Sequence, residues 1–177
     1  GSIYGSQIKI VASNGNVGVM GDLIGERVVR INADGTIVTN RTQAKEQIDI
    51  KGKEYTQNTS TYTEGNLTID ADKVTLNGNG TRANDVRITG NLDNNNTIYA
   101  KNNIVIDKNT KSTGRIIAEK SLTIGKDLDS EELVYGAEEV NVGGNLKNKD
   151  SLQSEGNVTV AGDTVNTGKV IAGDKLD

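Results

Sequence analysis

The sequence predicts an all-β protein that folds as a single-stranded parallel β-helix, or β-solenoid, of about nine triangular coils of 18–21 residues. One observation is a column of aliphatic residues that recurs every 18 residues: Val86, Ile104, Leu122, Val140, Val158 and Leu176. A second is that the apolar residues within a coil pair as i and i+2, which is the period of a strand. A fixed repeat near twenty residues indicates a solenoid, because each repeat buries its apolar face only by stacking on its neighbours.

The remaining columns of the repeat show what one coil contains. They are Ile88, Ile106, Ile124, Val142, Val160; Leu92, Thr110, Leu128, Leu146, Thr164; Ile98, Ile116, Val134, Leu152, Val170; and Ala100, Ala118, Gly136, Ser154, Ala172. Three short strands per coil, joined by corners rich in Asn, Asp, Gly and Lys, predict a three-sided cross-section. Helical solenoids are excluded because their repeats need about 33 to 47 residues.

The N-terminal half repeats the pattern with looser spacing. Its coils open at Ile8, Val29, Ile48 and Leu67, and the extra residues are expected at corners, where insertions cost little. Segment 77–85 contains no Val, Ile or Leu, so it is predicted to be a loop. Residues 1–2 are interpreted as a cloning remnant, and 3–177 as one continuous β-helix.

Two polar columns support the same register. The eighth place of the coil carries Asp93, Lys111, Asp129 and Lys147, which alternate in sign. Opposite charges facing each other across a strand pair are favourable. A second column, predicted to hydrogen-bond from coil to coil at a buried corner, holds Asn94, Ser112, Ser130, Asn148 and Asn166.

Composition argues against several functional classes. The net charge of -4 and the pI near 5.0 argue against a nucleic-acid partner, and no basic stretch with interleaved aromatic residues is present. No apolar run is long enough to span a bilayer, so membrane insertion is not expected. The chain has no His and no Cys, which removes imidazole and thiolate metal ligands and the usual nucleophile–base pairs. No catalytic residues, metal site or cofactor are therefore expected.

Several segments resemble the repeats of filamentous haemagglutinins, the large exoproteins of bacterial two-partner secretion, a group that includes contact-dependent growth-inhibition proteins. They are Gly65–Ile69, Gly144–Asn148, Gly156–Asp163 and Gly168–Asp174, and the resemblance covers about residues 8–177. The resemblance implies a right-handed β-helix within a secreted fibre on the outer surface of a Gram-negative cell. It also implies an outer-membrane secretion partner, and adhesion or cell–cell contact through a receptor or glycan on a host or neighbouring cell. The amino-terminal secretion domain and the carboxy-terminal toxin of such proteins have no counterpart here, so we expect a non-enzymatic stalk segment.

Two enzyme classes are alternatives to a stalk. Left-handed β-helix acyltransferases also use eighteen-residue coils, but they place small residues where this chain has Asn102, Lys108, Lys126 and Glu138. A polysaccharide-processing β-helix enzyme needs carboxylates clustered on one face. The register stacks only one such pair in the C-terminal half, Glu132 and Asp150, and both are interpreted as exposed corner residues.

One outward column could bind a partner or a carbohydrate. It reads Tyr99, Ile117, Tyr135, Gln153 and Ile171, and Tyr55 and Tyr62 are expected to extend it towards the N-terminus. Exposed aromatic and aliphatic side chains on a flat sheet suit sugar rings or a second fibre. The unfinished coil at Leu176 is expected to leave an open sheet edge that favours end-to-end self-association.

Overall fold

The computed structural model describes residues 1–177 as a parallel β-solenoid of 23 strands without any helix. The strands are β1 (Ile3–Ala12), β2 (Val17–Ala33), β3 (Thr36–Ala44), β4 (Gln47–Lys51), β5 (Glu54–Thr63), β6 (Asn66–Asp70), β7 (Lys73–Leu76), β8 (Gly80–Ala83), β9 (Val86–Ile88), β10 (Asn91–Asn94), β11 (Ile98–Ala100), β12 (Ile104–Ile106), β13 (Thr110–Ser112), β14 (Ile116–Ala118), β15 (Ser121–Ile124), β16 (Leu128–Ser130), β17 (Val134–Gly136), β18 (Glu139–Val142), β19 (Leu146–Asn148), β20 (Ser151–Ser154), β21 (Asn157–Val160), β22 (Thr164–Asn166) and β23 (Lys169–Ala172).

The strands form three parallel ladders, one on each side of the coil. The first ladder contains residues 7–12 and 28–33, then β4, β6, β9, β12, β15, β18 and β21. The second contains residues 17–19, 36–39 and 54–57, then β7, β10, β13, β16, β19 and β22. The third contains residues 3–5, 22–25, 41–44 and 60–63, then β8, β11, β14, β17, β20 and β23.

The backbone pairing confirms the eighteen-residue register of the C-terminal half. Val86 pairs with Ile104, Ile104 with Leu122, and so on through Val158 to an isolated bridge at Leu176. About nine coils at one strand spacing each give a rod about 40 Å long.

A single apolar core runs along the axis of the rod. Its 36 buried residues form one continuous cluster, in which Tyr55 is the only aromatic side chain. Isoleucine, valine and leucine make up most of this cluster, because the narrow space inside a three-sided coil suits slim side chains that alternate along short strands, and alanine and small polar residues fill other inward places.

The N-terminal coils differ from the others at their corners. Strands β1, β2, β3 and β5 each continue from one side of the coil to the next, and irregularities in pairing at 5–7, 19–22 and 39–41 mark places where they turn. Bulges of this kind let an extended chain bend without leaving the ladder. The insertions expected from the looser spacing therefore lie at corners, as the sequence indicates.

The loop predicted over 77–85 is wrong for part of its length. Gly80–Ala83 forms strand β8, which pairs with β5 and β11 and points Thr81 and Ala83 into the core. Thr81 replaces an aliphatic residue because its hydroxyl donates a 3.0 Å hydrogen bond to Gln57 Oε1, which satisfies both buried groups. Only the corners on either side of this strand are irregular.

The two predicted polar columns behave differently. Asn94, Ser112, Ser130 and Asn148 are buried in one column, and bonds such as Asn148 Nδ2 to Asn166 Oδ1 at 2.8 Å connect its coils. The alternating charges of Asp93, Lys111, Asp129 and Lys147 are in register, but no ion pair forms among them. Instead, five ion pairs elsewhere link successive coils, such as Arg87 with Asp107 at 3.1 Å.

No helix of the structure is long and apolar enough to cross a membrane.

Candidate functional surface on the third ladder

The outward column predicted from the sequence exists on the third ladder. Tyr99, Ile117, Tyr135, Gln153 and Ile171 are paired directly from coil to coil. Their chain neighbours from β11 to β20 point into the core and are buried, so the column itself faces outward. Its members are half-buried, apart from Ile171, whose exposed fraction is 46%.

Pairing extends this column through the N-terminal coils to the start of the rod. The complete outward column is Tyr4, Ile24, Gln43, Tyr62, Arg82, Tyr99, Ile117, Tyr135, Gln153 and Ile171. The expectation that Tyr62 belongs to it is confirmed, and its exposed fraction is 39%. Four of the five tyrosines of the chain therefore lie on one line.

The expectation that Tyr55 extends this column is wrong. Tyr55 lies on the second ladder between Ile37 and Val74, points inward and is fully buried. Its hydroxyl bonds Thr39 Oγ1 at 2.6 Å, and burial raises the pKa of the Tyr55 phenol. The extra residue in this coil lies at the corner between the first and second ladders, which moves Tyr55 into the core column.

Charged side chains surround the tyrosines of the outward column. The Arg82 guanidinium lies 4.7 Å from the centroid of the Tyr99 ring, a cation–π arrangement. Partial burial and the Glu119 carboxylate raise the pKa of the Tyr99 phenol, whereas Arg82 opposes that shift. Partial burial and Glu155 raise the pKa of Tyr135 in the same way. Each of these two phenols thus has a carboxylate beside it on the next coil.

Two adjoining depressions lie beside this column, at the corner where the chain passes from the third ladder to the first. One, of about 390 Å³, is lined by Ile24, Gly25, Glu26, Gln43, Ala44, Lys45, Tyr62 and Glu64. The other, of about 220 Å³, is lined by Tyr62, Thr63, Glu64, Arg82, Ala83, Asn84 and Lys101. Because Tyr62 and Glu64 line both, the depressions form one shallow groove along the rod. We call this the Tyr62 groove; Tyr99 and Tyr135 continue the outward column towards the C-terminus but line neither depression.

The carboxylate pair considered for an enzyme lies on an exposed corner. Glu132 and Asp150 are both exposed, and the adjacent Glu131 forms an ion pair with Lys149 at 3.1 Å. No group of three or more acidic, His or Cys side chains is placed to hold a metal ion. These residues therefore form a solvent-exposed turn, which the ion pair between Glu131 and Lys149 links to the next coil.

Sequence reasoning missed Arg82 and Glu64 as members of the candidate surface. Both lie in coils whose corner insertions interrupt the eighteen-residue count, so their column could not be assigned. The available signal was Thr81 and Ala83, which are spaced as i and i+2 like every other inward pair of the third ladder. Accepting small and polar residues as inward positions would have placed Arg82 between them, facing out.

Both ends of the rod leave core positions uncovered. Ile10 and Ala12 at the first coil, and Val160, Val170 and Ala172 at the last, pack against the core but are only partly buried. Strands β1 and β23 each pair on one side only, so their backbone groups are free to bond another strand.

We therefore expect the isolated chain to self-associate end to end, as measured by sedimentation equilibrium at increasing concentration. The variants Ile10→Lys and Val170→Lys place a charge on the open edges and should weaken association. Val165→Lys is the matched control, because Val165 points outward from the last coil and is already exposed. A chain that stays monomeric at high concentration would contradict this prediction.

Comparison with protein-family models, with curated proteins and with solved structures finds no match to this chain. The resemblance to filamentous haemagglutinin repeats therefore rests on the repeat segments themselves.

Proposed function

We propose that this chain is a non-enzymatic stalk segment of a bacterial secreted surface fibre that takes part in adhesion or cell–cell contact. The observation that carries the proposal is the uniform stack: every ladder continues from coil to coil along the whole chain, around one unbroken core. Coils stacked in this way form a long, stiff rod, and length and stiffness are the properties that a spacer requires.

The chemistry of the surface is consistent with this role. The ion pairs that link successive coils are exposed, so each contributes little to stability and none is buried in a reaction pocket. Burial raises the pKa of the Tyr55 phenol inside the core, whereas Tyr99 and Tyr135, whose pKa values partial burial also raises, lie on the outward column, so these three groups do not meet in one cleft. Active sites usually bring several perturbed titratable groups together in one cleft.

The location and partners of the chain belong to the same proposal. The resemblance to filamentous haemagglutinin repeats supports an extracellular position on the bacterial surface and an outer-membrane secretion partner for the parent protein. It also supports a receptor or glycan on another cell as the target of the fibre. A polysaccharide-processing enzyme is the alternative, and turnover of a polysaccharide by the purified chain would replace the stalk with that function.

Removal of two whole coils, residues 104–139, tests the stalk directly. We expect the shortened chain to fold, because Asn103 then precedes Val140 and Val86 pairs with Val140 in the register it had with Ile104. Small-angle X-ray scattering should show a maximum dimension shorter by about 10 Å, two strand spacings. In the parent protein the same deletion should shorten the fibre without loss of secretion.

A deletion that breaks the register is the control. Removing residues 104–130 takes out one and a half coils and brings an exposed corner, Glu131, to the place where Ile104 entered the core. This variant should lose its β-type circular dichroism or aggregate, because its inward residues no longer face the core. The stalk requires that whole coils can be removed without unfolding the rest, and that partial coils cannot. If both variants unfolded, or both folded, this requirement would not be met.

A further inference from the structure

From the outward column of the third ladder, and from the Tyr62 groove beside it, we infer that this ladder binds an extended, uncharged oligosaccharide laid along the rod axis. This inference rests on the proposed role in adhesion, which includes a glycan as a target, and deepens it by naming the surface and the class of glycan, since a rod can space two objects apart without binding anything along its side.

The first argument is the line of rings. Tyr62, Tyr99 and Tyr135 belong to one outward column, and Tyr99 and Tyr135 are two coils apart, a separation of about 10 Å. That separation is about the length of one disaccharide in an extended chain. A sugar ring presents a flat face of C–H groups, which packs on a tyrosine ring while its hydroxyls stay in contact with water and polar side chains.

The second argument is the distribution of hydrogen-bonding groups. The residues two positions after the column members from Ile24 to Gln153 form the rim of the ladder: Glu26, Lys45, Glu64, Asn84, Lys101, Glu119, Ala137 and Glu155. Carboxylates, ammonium groups and amides there alternate along the line of rings, so both acceptors and donors are within reach of a ligand. Hydroxyls both donate and accept, which matches a rim of this mixed kind; only Ala137, which follows Tyr135, offers no polar side chain.

The charges of the rim argue for an uncharged ligand. Glu64 and Glu119 would repel a polyanion such as a sulfated glycan, whereas Arg82 and Lys101 would repel a polycation. The column is also interrupted by Gln43, Arg82 and Gln153, so it lacks the continuous apolar centre that a stable protein–protein interface requires. A linear sugar chain needs only spaced rings with polar groups between them.

The third argument is preorganisation. The ladder is paired on both sides from β8 to β20, so the backbone under the rings is rigid. Arg82 covers one face of the Tyr99 ring and holds the ring in place, so a sugar would stack on the other face, and binding would cost less entropy.

The experiment measures binding to the complete chain by isothermal titration calorimetry. The probes are two uncharged oligosaccharides, cellohexaose and chitohexaose, and a heparin hexasaccharide for comparison. We expect at least one uncharged probe to bind and heparin not to bind. Tyr62→Leu and Tyr135→Leu should each weaken binding about tenfold, because leucine keeps the apolar contact but removes the flat ring. Tyr62→Phe and Tyr135→Phe should keep most of the affinity.

Val105→Leu is the control variant, since Val105 is a half-buried outward residue on the first ladder and should leave binding unchanged. Circular dichroism of each variant checks that it folds, and at an outward site every variant should. The inference is overturned if neither uncharged probe binds at millimolar concentration, or if binding is unaffected by the leucine variants. It is also overturned if the column instead forms a lateral dimer that Tyr135→Leu dissociates. In each of these three cases, the small-angle scattering test of the two-coil deletion would still decide independently whether the chain is a stalk.

Discussion

Replacing Ile124 with alanine is expected to lower the free energy of unfolding by about 2 to 5 kcal/mol. Ile124 is completely buried and lies between Ile106 and Val142 in the inward column of the first ladder. The removed methyl and methylene groups lose their burial, and the cavity cannot collapse readily because backbone pairing holds the coils above and below in place. Urea denaturation followed by circular dichroism measures the loss.

Tyr135→Ala is the matched comparison. It removes a larger side chain, but from the outward column of the third ladder, where Tyr135 is only half-buried. The expected loss of stability is about 1 kcal/mol or less. If Tyr135→Ala were the more damaging of the two, the assignment of inward and outward residues would be shifted by one, and with it every strand of the coil.

A second large effect is expected at Gly78, where alanine should cost about 2 to 4 kcal/mol. Gly78 turns the chain from the second ladder to the third with a φ of 85°, a left-handed conformation that penalises any side chain. A Cβ at this position would also overlap the backbone carbonyl oxygen of Thr59 in the preceding coil. Strain and overlap act together, because the neighbouring coil is one strand spacing away and is itself hydrogen-bonded to Asn79.

The control for Gly78 is Gly18→Ala. Gly18 lies in β2, carries no positive φ, and a Cβ added there meets no atom within 4 Å. Alanine at this position should be neutral or slightly stabilising, since it restricts the unfolded chain without disturbing the folded one. Equal losses for the two variants, measured by thermal unfolding, would show that the Gly78 corner is not held in the conformation described.

The candidate surface could be predicted from sequence only where the eighteen-residue count is unbroken. From Tyr99 to Ile171 the count places each outward residue correctly. For Tyr55 it fails, because one additional corner residue exchanges the inward and outward faces of the strand that follows. The predicted charge ladder shows a related limit: register brings Lys111 and Asp129 side by side, but exposed side chains are free to choose other rotamers or partners.

The sequence by itself determined the three-sided coil, the axial stack and most of the apolar core, because slim aliphatic residues at a period of two within a period of eighteen are buried together when such coils stack in register. Only the tertiary structure decided how the buried polar side chains of the irregular coils find hydrogen-bond partners. Gln57 accepts hydrogen bonds from both Thr61 and Thr81, which lie in different coils, and this makes a polar strand part of the core. The same stacking brings Tyr62, Arg82 and Tyr99 into one line. These contacts join residues about twenty positions apart through corners of unequal length, so they follow from how the coils stack and from no local pattern.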